Sequence, residues 1–450
     1  MAFGSVPALP ALQSVQEGTA AVEASRHAGG MQLSTPLTLP CGLTLRNRVL
    51  RAAAFAGGDL ASAAATLGEC AAGGAALVTL AYTSVSQDGR TFAEQVLLTP
   101  EGAPPDLAAV ARAVHQHGAR LSIQLTHAGG FAERKLLPPL QARPLAPSGL
   151  FDIAALGWPR EAGEADMERI AQDFAAAASL ACGAGQADAV ELHLGHGYLL
   201  SQWLCPLTNQ RRDGHGGSAA ARARFPLRVA RAVRAAIGPH KALLVKLNTS
   251  DGFAGGVTPA DVAVTVAALC AEPGLVDALV PSAGFVSKNG FYMLRGAVPR
   301  SAMARALARS SWLKAGALAL LGRWLVPELP FAPGFLLEGA RGVLRAVAAA
   351  GAGSGSAAAA PLVPVLAIGG FVDAGAVEAA LAEGFAGVQM ARALIREPSL
   401  VQRWEAEFAA AAGSVSSVRA SPCSHCNTCV VAALEGAKAS PRCVEREPQW

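Results

Sequence analysis

Two histidines and a tyrosine lie close together in residues 193–204, which read HLGHGYLLSQWL. His193 and His196 are three residues apart, and Tyr198 follows two residues later. Two neutral imidazoles can donate hydrogen bonds to one carbonyl oxygen and stabilise the enolate charge that develops there. A tyrosine, whose free pKa is about 10, can protonate a basic carbanion. The segment therefore predicts a site that activates a carbonyl compound, with three satisfied polar groups under a loop as the alternative.

A second group of residues has the character of a phosphate site. Gly369 and Gly370 end an apolar run, and Arg392 follows another. Glycine lets backbone N–H groups approach an anion closely, and arginine adds a charge-assisted hydrogen-bond fork. Because barrel enzymes often bind phosphate with the loops after their last two strands, these residues predict a phosphorylated cofactor or substrate. The glycine pair alone would also fit an ordinary turn.

Eight short apolar runs alternate with longer segments of helical spacing or Ala-rich composition. Eight βα units indicate a TIM barrel, since an open nucleotide-binding sheet more often has five or six strands. The predicted strands are 47–53, 76–82, 120–126, 189–194, 243–248, 278–283, 364–369 and 386–391. The predicted helices are 60–72, 105–117, 166–184, 220–237, 259–271, 335–349, 373–382 and 399–411.

The chain is predicted to hold one α/β domain with long insertions. The expected parts are a disordered tail at 1–30, a cofactor-binding TIM barrel at 31–415 and a cysteine-containing extension at 416–450. Insertions at 127–165 and 284–334 follow the third and sixth strands, where they would roof the catalytic face of a barrel. The Gly/Ala/Ser-rich residues 350–360 predict a flexible linker at the opposite face.

The composition points to a small-molecule enzyme. Of the 450 residues, 52% are hydrophobic and 16% are charged, which suffices for a large core. The formal net charge of +4 is not gathered into a basic stripe, so neither nucleic acid nor an anionic membrane is expected as a partner. No apolar run is long enough to cross a membrane. Scattered single cysteines favour a reducing, cytoplasmic location, with an organelle address in residues 1–30 as the alternative.

The most apolar stretch, WLKAGALALLGRWLV, starts at Trp312 and is interrupted by Lys314 and Arg323. These charges predict an amphipathic surface helix rather than a membrane span. Its apolar face could belong to the core, to a dimer interface or to a membrane-surface contact. The sequence does not distinguish among these three locations, and it does not indicate the oligomeric state.

Nine segments in series resemble the Old Yellow Enzyme family of FMN-dependent ene-reductases, over residues 33 to 412. They are LRNRVLRAA (45–53), GGAALVTLAYTSVSQDGR (73–90), IQLTHAGG (123–130), RPLAPS (143–148), HLGHGYLLSQWL (193–204), NQRRDGHGGSAAARARF (209–225), LLVKLN (243–248), AIGG (367–370) and GVQMARALIREP (387–398). Two positions depart from the family pattern. Phe55 stands where Thr, Ser or Cys is common, and Ala391 replaces a common Gly.

The resemblance implies FMN across the barrel mouth. The residues it assigns to FMN are Ala53, Tyr82 and Gln124 at the ring, Lys246 as a cation beside it, and Gly369, Gly370, Ala391 and Arg392 at the phosphate. It further implies that His193 and His196 bind the carbonyl of an α,β-unsaturated substrate and that Tyr198 protonates its α-carbon. NADPH or NADH would reduce FMN and leave before the alkene enters. No GxGxxG fingerprint is present in a strand and helix context, which agrees with a nicotinamide that docks on the flavin.

Four cysteines cluster late in the chain, at Cys423, Cys426, Cys429 and Cys443. They resemble the [4Fe–4S] region of the dienoyl-CoA reductase and trimethylamine dehydrogenase branch, although the third gap is shorter than that branch suggests. The sequence favours a reduced, metal-free tail over a [4Fe–4S] cluster or zinc. Nor do the two histidines have a third ligand at metal spacing. An iron–sulfur flavoprotein of that branch is the main alternative function, and a flavin-free aldolase with a Schiff base on Lys246 is another.

Overall fold

Eight parallel strands form the centre of the protein. The computed structural model describes residues 30–55, 59–104, 106–137, 143–152, 157–308, 312–352, 363–431 and 443–446. The strands are β1 (Val49–Phe55), β2 (Leu77–Ser84), β3 (Arg120–Thr126), β4 (Ala189–Leu194), β5 (Ala242–Asn248), β6 (Ala278–Ser282), β7 (Leu366–Ile368) and β8 (Gly387–Met390). Strands consecutive in the chain pair from β1 to β6, β7 pairs with β8, and β8 pairs with β1. A bridge in which Leu279 N donates to Pro364 O at 2.9 Å joins β6 to the segment leading into β7. The predicted TIM barrel is confirmed.

Helices surround the barrel and alternate with its strands. They are α1 (Leu60–Ala72), α2 (Leu107–His115), α3 (Glu164–Cys182), α4 (Leu199–Leu204), α5 (Ala219–Ile237), α6 (Pro259–Cys270), α7 (Val286–Asn289), α8 (Arg300–Ala308), α9 (Trp312–Leu325), α10 (Leu337–Ala352), α11 (Ala374–Ala382), α12 (Arg392–Arg396), α13 (Leu400–Ala410) and α14 (Thr428–Val431). Their starts follow capping chemistry, since Thr258 and Asp261 form a reciprocal capping box ahead of α6. All eight predicted strands and eight predicted helices are found within three residues of their expected ends.

Apolar side chains form two layers because successive strand residues point to opposite faces of the sheet. In β1, Val49 packs outward against the helices, whereas Leu50 packs into the barrel interior. The interior layer is closed at the amino-terminal end of the strands by a short antiparallel pair, Leu37–Thr38 with Thr44–Leu45. Towards the carboxyl ends the interior becomes polar, and that is where the predicted site residues lie.

Both predicted insertions leave the carboxyl ends of their strands. The one after β3 carries short 3-10 turns, and the one after β6 carries α7, α8 and α9. The linker prediction was wrong for residues 350–352, because α10 continues to Ala352. The rest of that linker and residues 1–29 of the predicted tail lie outside the described residues. Within the described part of the chain, no helix has the length and apolar character needed to cross a membrane.

Candidate active site

His193, His196 and Ser282 form a hydrogen-bonded chain at the carboxyl ends of β4 and β6. His193 Nε2 lies 2.9 Å from His196 Nδ1, and His196 Nε2 lies 2.7 Å from Ser282 Oγ. His196 has a positive φ of 60°, and its backbone N–H donates to Asn248 Oδ1 at 3.0 Å. This bond from β5 holds the turn that orients both imidazoles. Ser282, the last residue of β6, is the partner of His196, and sequence reasoning missed this role.

The two imidazoles are neutral at physiological pH. Burial, helped by the charge of Lys246, lowers the pKa of His196 to about 3. Burial also lowers the pKa of His193 well below its usual value, and His196 and Lys246 add to this effect. A neutral imidazole donates one proton and accepts one, so the Ser282 hydroxyl, by donating or accepting, sets the direction of the whole chain. Among the described residues, no group bonds to the buried His193 Nδ1, and a polar ligand atom could satisfy it.

Tyr198 lies directly beside the histidine pair, just before α4. Its ring centroid is 4.6 Å from that of His193 and 5.4 Å from that of Tyr82. Burial, with a further contribution from Tyr82, raises the pKa of Tyr198 well above its usual value. The phenol therefore stays protonated and can serve as an acid, because a high pKa disfavours the phenolate. The structure thus brings His193, His196 and Tyr198 together, as the sequence predicts.

A buried polar network lies in the barrel interior among these strands. Glu191 Oε1 accepts from Gln124 Nε2 at 2.7 Å and lies 2.9 Å from Lys246 Nζ. Its other oxygen accepts from Gln389 Nε2 at 3.0 Å. Sequence reasoning named Gln124 and Lys246 but missed Glu191 and Gln389. The signal was available for Glu191, because it stands two residues before His193 and so faces the same side of β4. A lysine paired with a carboxylate is also a poor Schiff-base nucleophile, which weighs against the aldolase alternative.

The glycine turn after β7 is a narrow backbone cradle. Gly369 and Gly370 have φ values of 117° and 86°, in the region that favours glycine. A Cβ on Gly369 would lie 2.6 Å from Leu336 Cβ, and one on Gly370 would lie 2.9 Å from Phe335 Cδ1. Both positions therefore require glycine for space as well as for φ. This fits the close backbone approach that a phosphate site needs.

Arg392 has partners that sequence reasoning missed. Its Nη1 donates to Arg295 O at 2.7 Å and to Asn427 Oδ1 at 2.6 Å, and its guanidinium lies over the Phe331 ring. Phe331 would also contact a Cβ on Gly370, so the glycine turn and Arg392 share one neighbour. Ala391 precedes Arg392 at the end of β8. Arg392 therefore connects the predicted phosphate turn to the cysteine-containing extension.

The remaining ring residues lie on the first two strands. Ala53 is half-buried in β1, and Tyr82 is half-buried in β2, where its hydroxyl lies 3.0 Å from Thr91 Oγ1. Four features of this end of the barrel suit a phosphorylated aromatic cofactor. They are the partly exposed Ala53 and Tyr82, the glycine turn after β7, the buried Lys246, and His193 Nδ1, which has no partner among the described residues. The residues present therefore fit FMN, and their individual contacts to it stay predictions.

The four clustered cysteines line one cavity. Cys423, Cys426, Cys429 and Cys443 line one small space, part of it open to solvent, together with Arg392. Burial raises the pKa of Cys429 to about 12. In the described part of the chain, no three Cys, His or carboxylate groups converge tightly enough for a single metal ion. The thiols therefore share a chamber without forming a compact zinc site.

Comparison with known proteins agrees with this geometry. Residues 32–279 match the model of the NADH:flavin oxidoreductase / NADH oxidase family. A 4,4'-dithiodibutanoate disulfide reductase of Rhodococcus erythropolis is 37% identical over 413 residues, which cover 90% of this chain and 93% of that protein.

Solved structures show the same fold. Morphinone reductase superposes with a TM-score of 0.60 at 22% identity, covering 83% of this chain and 89% of its own. A 2-naphthoyl-CoA reductase complex superposes with a TM-score of 0.69 at 20% identity, covering 91% of this chain. This chain spans 56% of that larger protein. The family match and the full-length relative are decisive: the chain belongs to the NADH:flavin oxidoreductase family, which includes the Old Yellow Enzymes, and is an NAD(P)H-dependent flavin oxidoreductase.

Proposed function

We propose that this enzyme reduces the C=C bond of an α,β-unsaturated carbonyl compound at the expense of NAD(P)H. The observation that carries the proposal is the grouping of His193, His196 and Tyr198, in which two neutral imidazoles stand beside one protonated phenol. Hydrogen-bond donors and a proton donor on one side of a pocket are what this reaction requires of a protein.

The cofactor and the side chains have separate tasks. When bound, FMN supplies the two-electron hydride transfer between NAD(P)H and the β-carbon of the substrate. Gly369, Gly370, Ala391 and Arg392 would hold its phosphate, while Ala53, Tyr82, Gln124 and Lys246 would hold its ring. His193 would bind the carbonyl oxygen through the Nδ1 that has no partner among the described residues and stabilise the negative charge that develops on it. His196, which bonds to His193 and Ser282, would add a second donor when one of these bonds opens. Tyr198 gives its proton to the α-carbon and regains one from solvent, which completes the addition of H₂.

The test separates the two half-reactions. Purified enzyme is reduced anaerobically with NADPH or NADH while flavin absorbance is followed, and is then mixed with 2-cyclohexenone in a stopped-flow instrument. We expect the flavin bands to bleach on reduction and to return with the enone, with the saturated ketone as product. Reduced flavin that the enone leaves unchanged but oxygen reoxidises would overturn the proposal.

Reduction of an organic disulfide is a second candidate, favoured by the full-length relative named for that activity. The balanced reaction consumes NAD(P)H, one proton and one disulfide, and releases two thiols. Tyr198 could protonate the first thiolate that leaves, because its pKa is above that of a thiol. Stopped-flow reoxidation with 4,4'-dithiodibutanoate beside 2-cyclohexenone ranks the two candidates by their second-order rate constants.

The cysteine cavity favours an additional cofactor, and we propose that it can hold a [4Fe–4S] cluster. Both zinc and a [4Fe–4S] cluster can be bound by four thiolates, but a cluster holds its ligands further apart than a single ion does, and no three of the described ligand groups converge as one zinc ion requires. The proposal is the alternative to the metal-free tail that the sequence favours. Iron and acid-labile sulfide are measured in anaerobically purified protein and in the variant Cys426→Ser. Equal iron in both, or none in either, would overturn it.

A further inference from the structure

The helix α9 presents large apolar side chains to solvent. The exposed fractions of Trp312, Leu320, Leu321 and Trp324 are 77%, 86%, 53% and 86%. The opposite face of the helix is buried, since Ala315 and Leu318 are 8% and 5% exposed and α9 packs on α8. The helix therefore packs one apolar face against α8. Its second apolar face is exposed, and no described residue of this chain covers it.

The segment that contains this helix is strongly basic. Residues 284–327, hereafter the basic insertion, contain no Asp or Glu and seven basic residues: Lys288, Arg295, Arg300, Arg305, Arg309, Lys314 and Arg323. The chain has 37 Lys and Arg in total, so the other residues hold 30 against 33 Asp and Glu. The basic insertion therefore has a formal net charge of +7. The net charge of the whole chain is small because the rest of the protein is slightly acidic and offsets the positive charge of this segment.

Part of this charge is free to face a partner. Lys288, Arg305 and Arg323 are exposed, and of these Lys288 also lies over the ring of Phe253. Arg300 is held by Glu328 at 3.6 Å, and Arg295 lies over the rings of Tyr292 and Phe335. Arg323 stands next to Trp324 on α9, so a cation and an indole reach solvent side by side.

We propose that the α8–α9 hairpin docks on the surface of an anionic lipid bilayer. Exposed Trp and Leu beside Arg323 on one helix are the side chains of interfacial anchors, in which apolar groups enter the headgroup boundary and cations contact acidic lipids. The 14 residues of α9 extend about 21 Å, which is shorter than the roughly 30 Å of a bilayer core. The helix therefore lies along the surface.

A second copy of the chain is the less favourable occupant. In a symmetric dimer the same patch appears on both sides of the interface, so two basic insertions without a single acidic residue would face each other. Like charges brought together in this way oppose association. An acidic lipid bilayer offers negative charge to the basic insertion and an apolar phase to the exposed Trp and Leu side chains of α9.

The hairpin is fastened to the rim of the active site. Gly296 N donates to Leu329 O at 2.7 Å at its base, and Ala297 N donates to His425 O at 3.2 Å. The insertion starts directly after β6, whose last residue, Ser282, bonds to His196. The basic insertion is therefore connected directly to the strand that carries Ser282.

Vesicle flotation tests this proposal with the full-length holoenzyme. The protein is mixed with phosphatidylcholine vesicles that contain or lack phosphatidylglycerol, at low and at high salt. We expect flotation only with phosphatidylglycerol, and loss of flotation at high salt because screening weakens the charge attraction. The double variant Leu320→Glu/Trp324→Glu should bind at least about tenfold more weakly. Trp158→Glu, an exposed tryptophan in the other insertion at 59%, is the matched control and should float like the wild type.

Thermal unfolding and flavin content of each variant exclude misfolding as the cause of a loss. Equal flotation of the double variant and the wild type, or no flotation of the wild type under any condition, would overturn the proposal. So would a stable wild-type dimer in sedimentation velocity that the double variant dissociates, since α9 would then be an interface between copies.

Discussion

Lys246 Nζ lies 2.9 Å from Glu191 Oε1 inside the barrel, where the two side chains are 2% and 0% exposed. Amides from Gln124 and Gln389 complete the hydrogen bonding of the carboxylate, one on each oxygen. Burial of two charges is costly unless they are paired and fully hydrogen-bonded, and this arrangement offsets most of that cost. The family resemblance places the Lys246 cation beside the flavin. Glu191 therefore partly neutralises that charge from within the barrel.

We predict that Glu191→Gln raises the midpoint potential of the bound flavin. Without the carboxylate, the full charge of Lys246 stabilises the extra negative charge of reduced flavin. The shift should be tens of millivolts, since about 30 mV corresponds to roughly 1.4 kcal/mol for a two-electron couple. A spectroelectrochemical titration measures it. Gln389→Met keeps both charges and should shift the potential less.

An unchanged potential in folded, flavin-loaded Glu191→Gln would contradict this account. If the variant does not fold because an unpaired lysine is buried, Glu191→Gln/Lys246→Met removes both charges. That double variant should fold, and its flavin potential should lie below that of the wild type.

Replacement of Tyr198 by Phe should slow only one half-reaction. We expect Tyr198→Phe to slow flavin reoxidation by an enone by about 10²- to 10⁴-fold, the usual contribution of a general acid, and to leave reduction by NAD(P)H nearly intact. Stopped-flow absorbance reports both steps. Tyr292→Phe, in the basic insertion, is the matched control and should leave both rates unchanged. Equal loss in both half-reactions of Tyr198→Phe would remove the proton-donor role.

The buried histidines predict a specific pH dependence of stability. The pKa of His196 is about 3 in the folded protein because of burial and Lys246, against about 6.5 in an unfolded chain. Between these values the unfolded state binds more protons, so the free energy of unfolding falls as the pH drops from about 6.5 towards 3. Urea unfolding at pH 7 and at pH 4.5 should show a smaller loss for His196→Asn than for the wild type. The exposed His240→Asn should retain the wild-type loss.

The absence of charge on both imidazoles also determines how ligand binding depends on pH. Because both imidazoles stay uncharged, the dissociation constant of a phenolic ligand should not change through histidine titration between pH 5 and 8. The long-wavelength charge-transfer band of the flavin with p-chlorophenol measures this constant. His193→Ala should weaken binding, with a loss of about tenfold or more if one donor is removed. An unchanged band in His193→Ala would count against the carbonyl-binding pair.

Local sequence patterns predicted the fold and the grouping of the two histidines with Tyr198. The other contacts of the site depend on residues that are far apart in the chain. Strand length and spacing located all eight strands, and their carboxyl ends placed His193 and Tyr198 together. The partners of Glu191 could not be read in this way, because Gln124 is 67 residues before it and Gln389 is 198 residues after it. Asn427 as a partner of Arg392 was missed for a different reason. It lies between Cys426 and Cys429, where the cysteine spacing indicates metal ligands and nothing indicates a contact with an arginine 35 residues earlier.

The turn between the catalytic residues offers a prediction with a closely matched control. Gly197 has a φ of 79°, and a Cβ there would lie 2.3 Å from Phe285 Cδ1. Gly197→Ala must therefore displace Phe285 or the turn that carries His196 and Tyr198. Gly238 has a similar φ of 71°, but a Cβ there would meet nothing within 4 Å. Both substitutions add backbone strain of about 1–3 kcal/mol, while only Gly197→Ala adds a collision at the site.

Thermal unfolding should therefore show a larger loss for Gly197→Ala than for Gly238→Ala, and phenol titration should show weaker binding for Gly197→Ala alone. Equal destabilisation with unchanged phenol affinity would mean that Phe285 yields without moving the turn. In that case Asn248, which accepts from the His196 backbone, would be the element that holds the imidazoles in place.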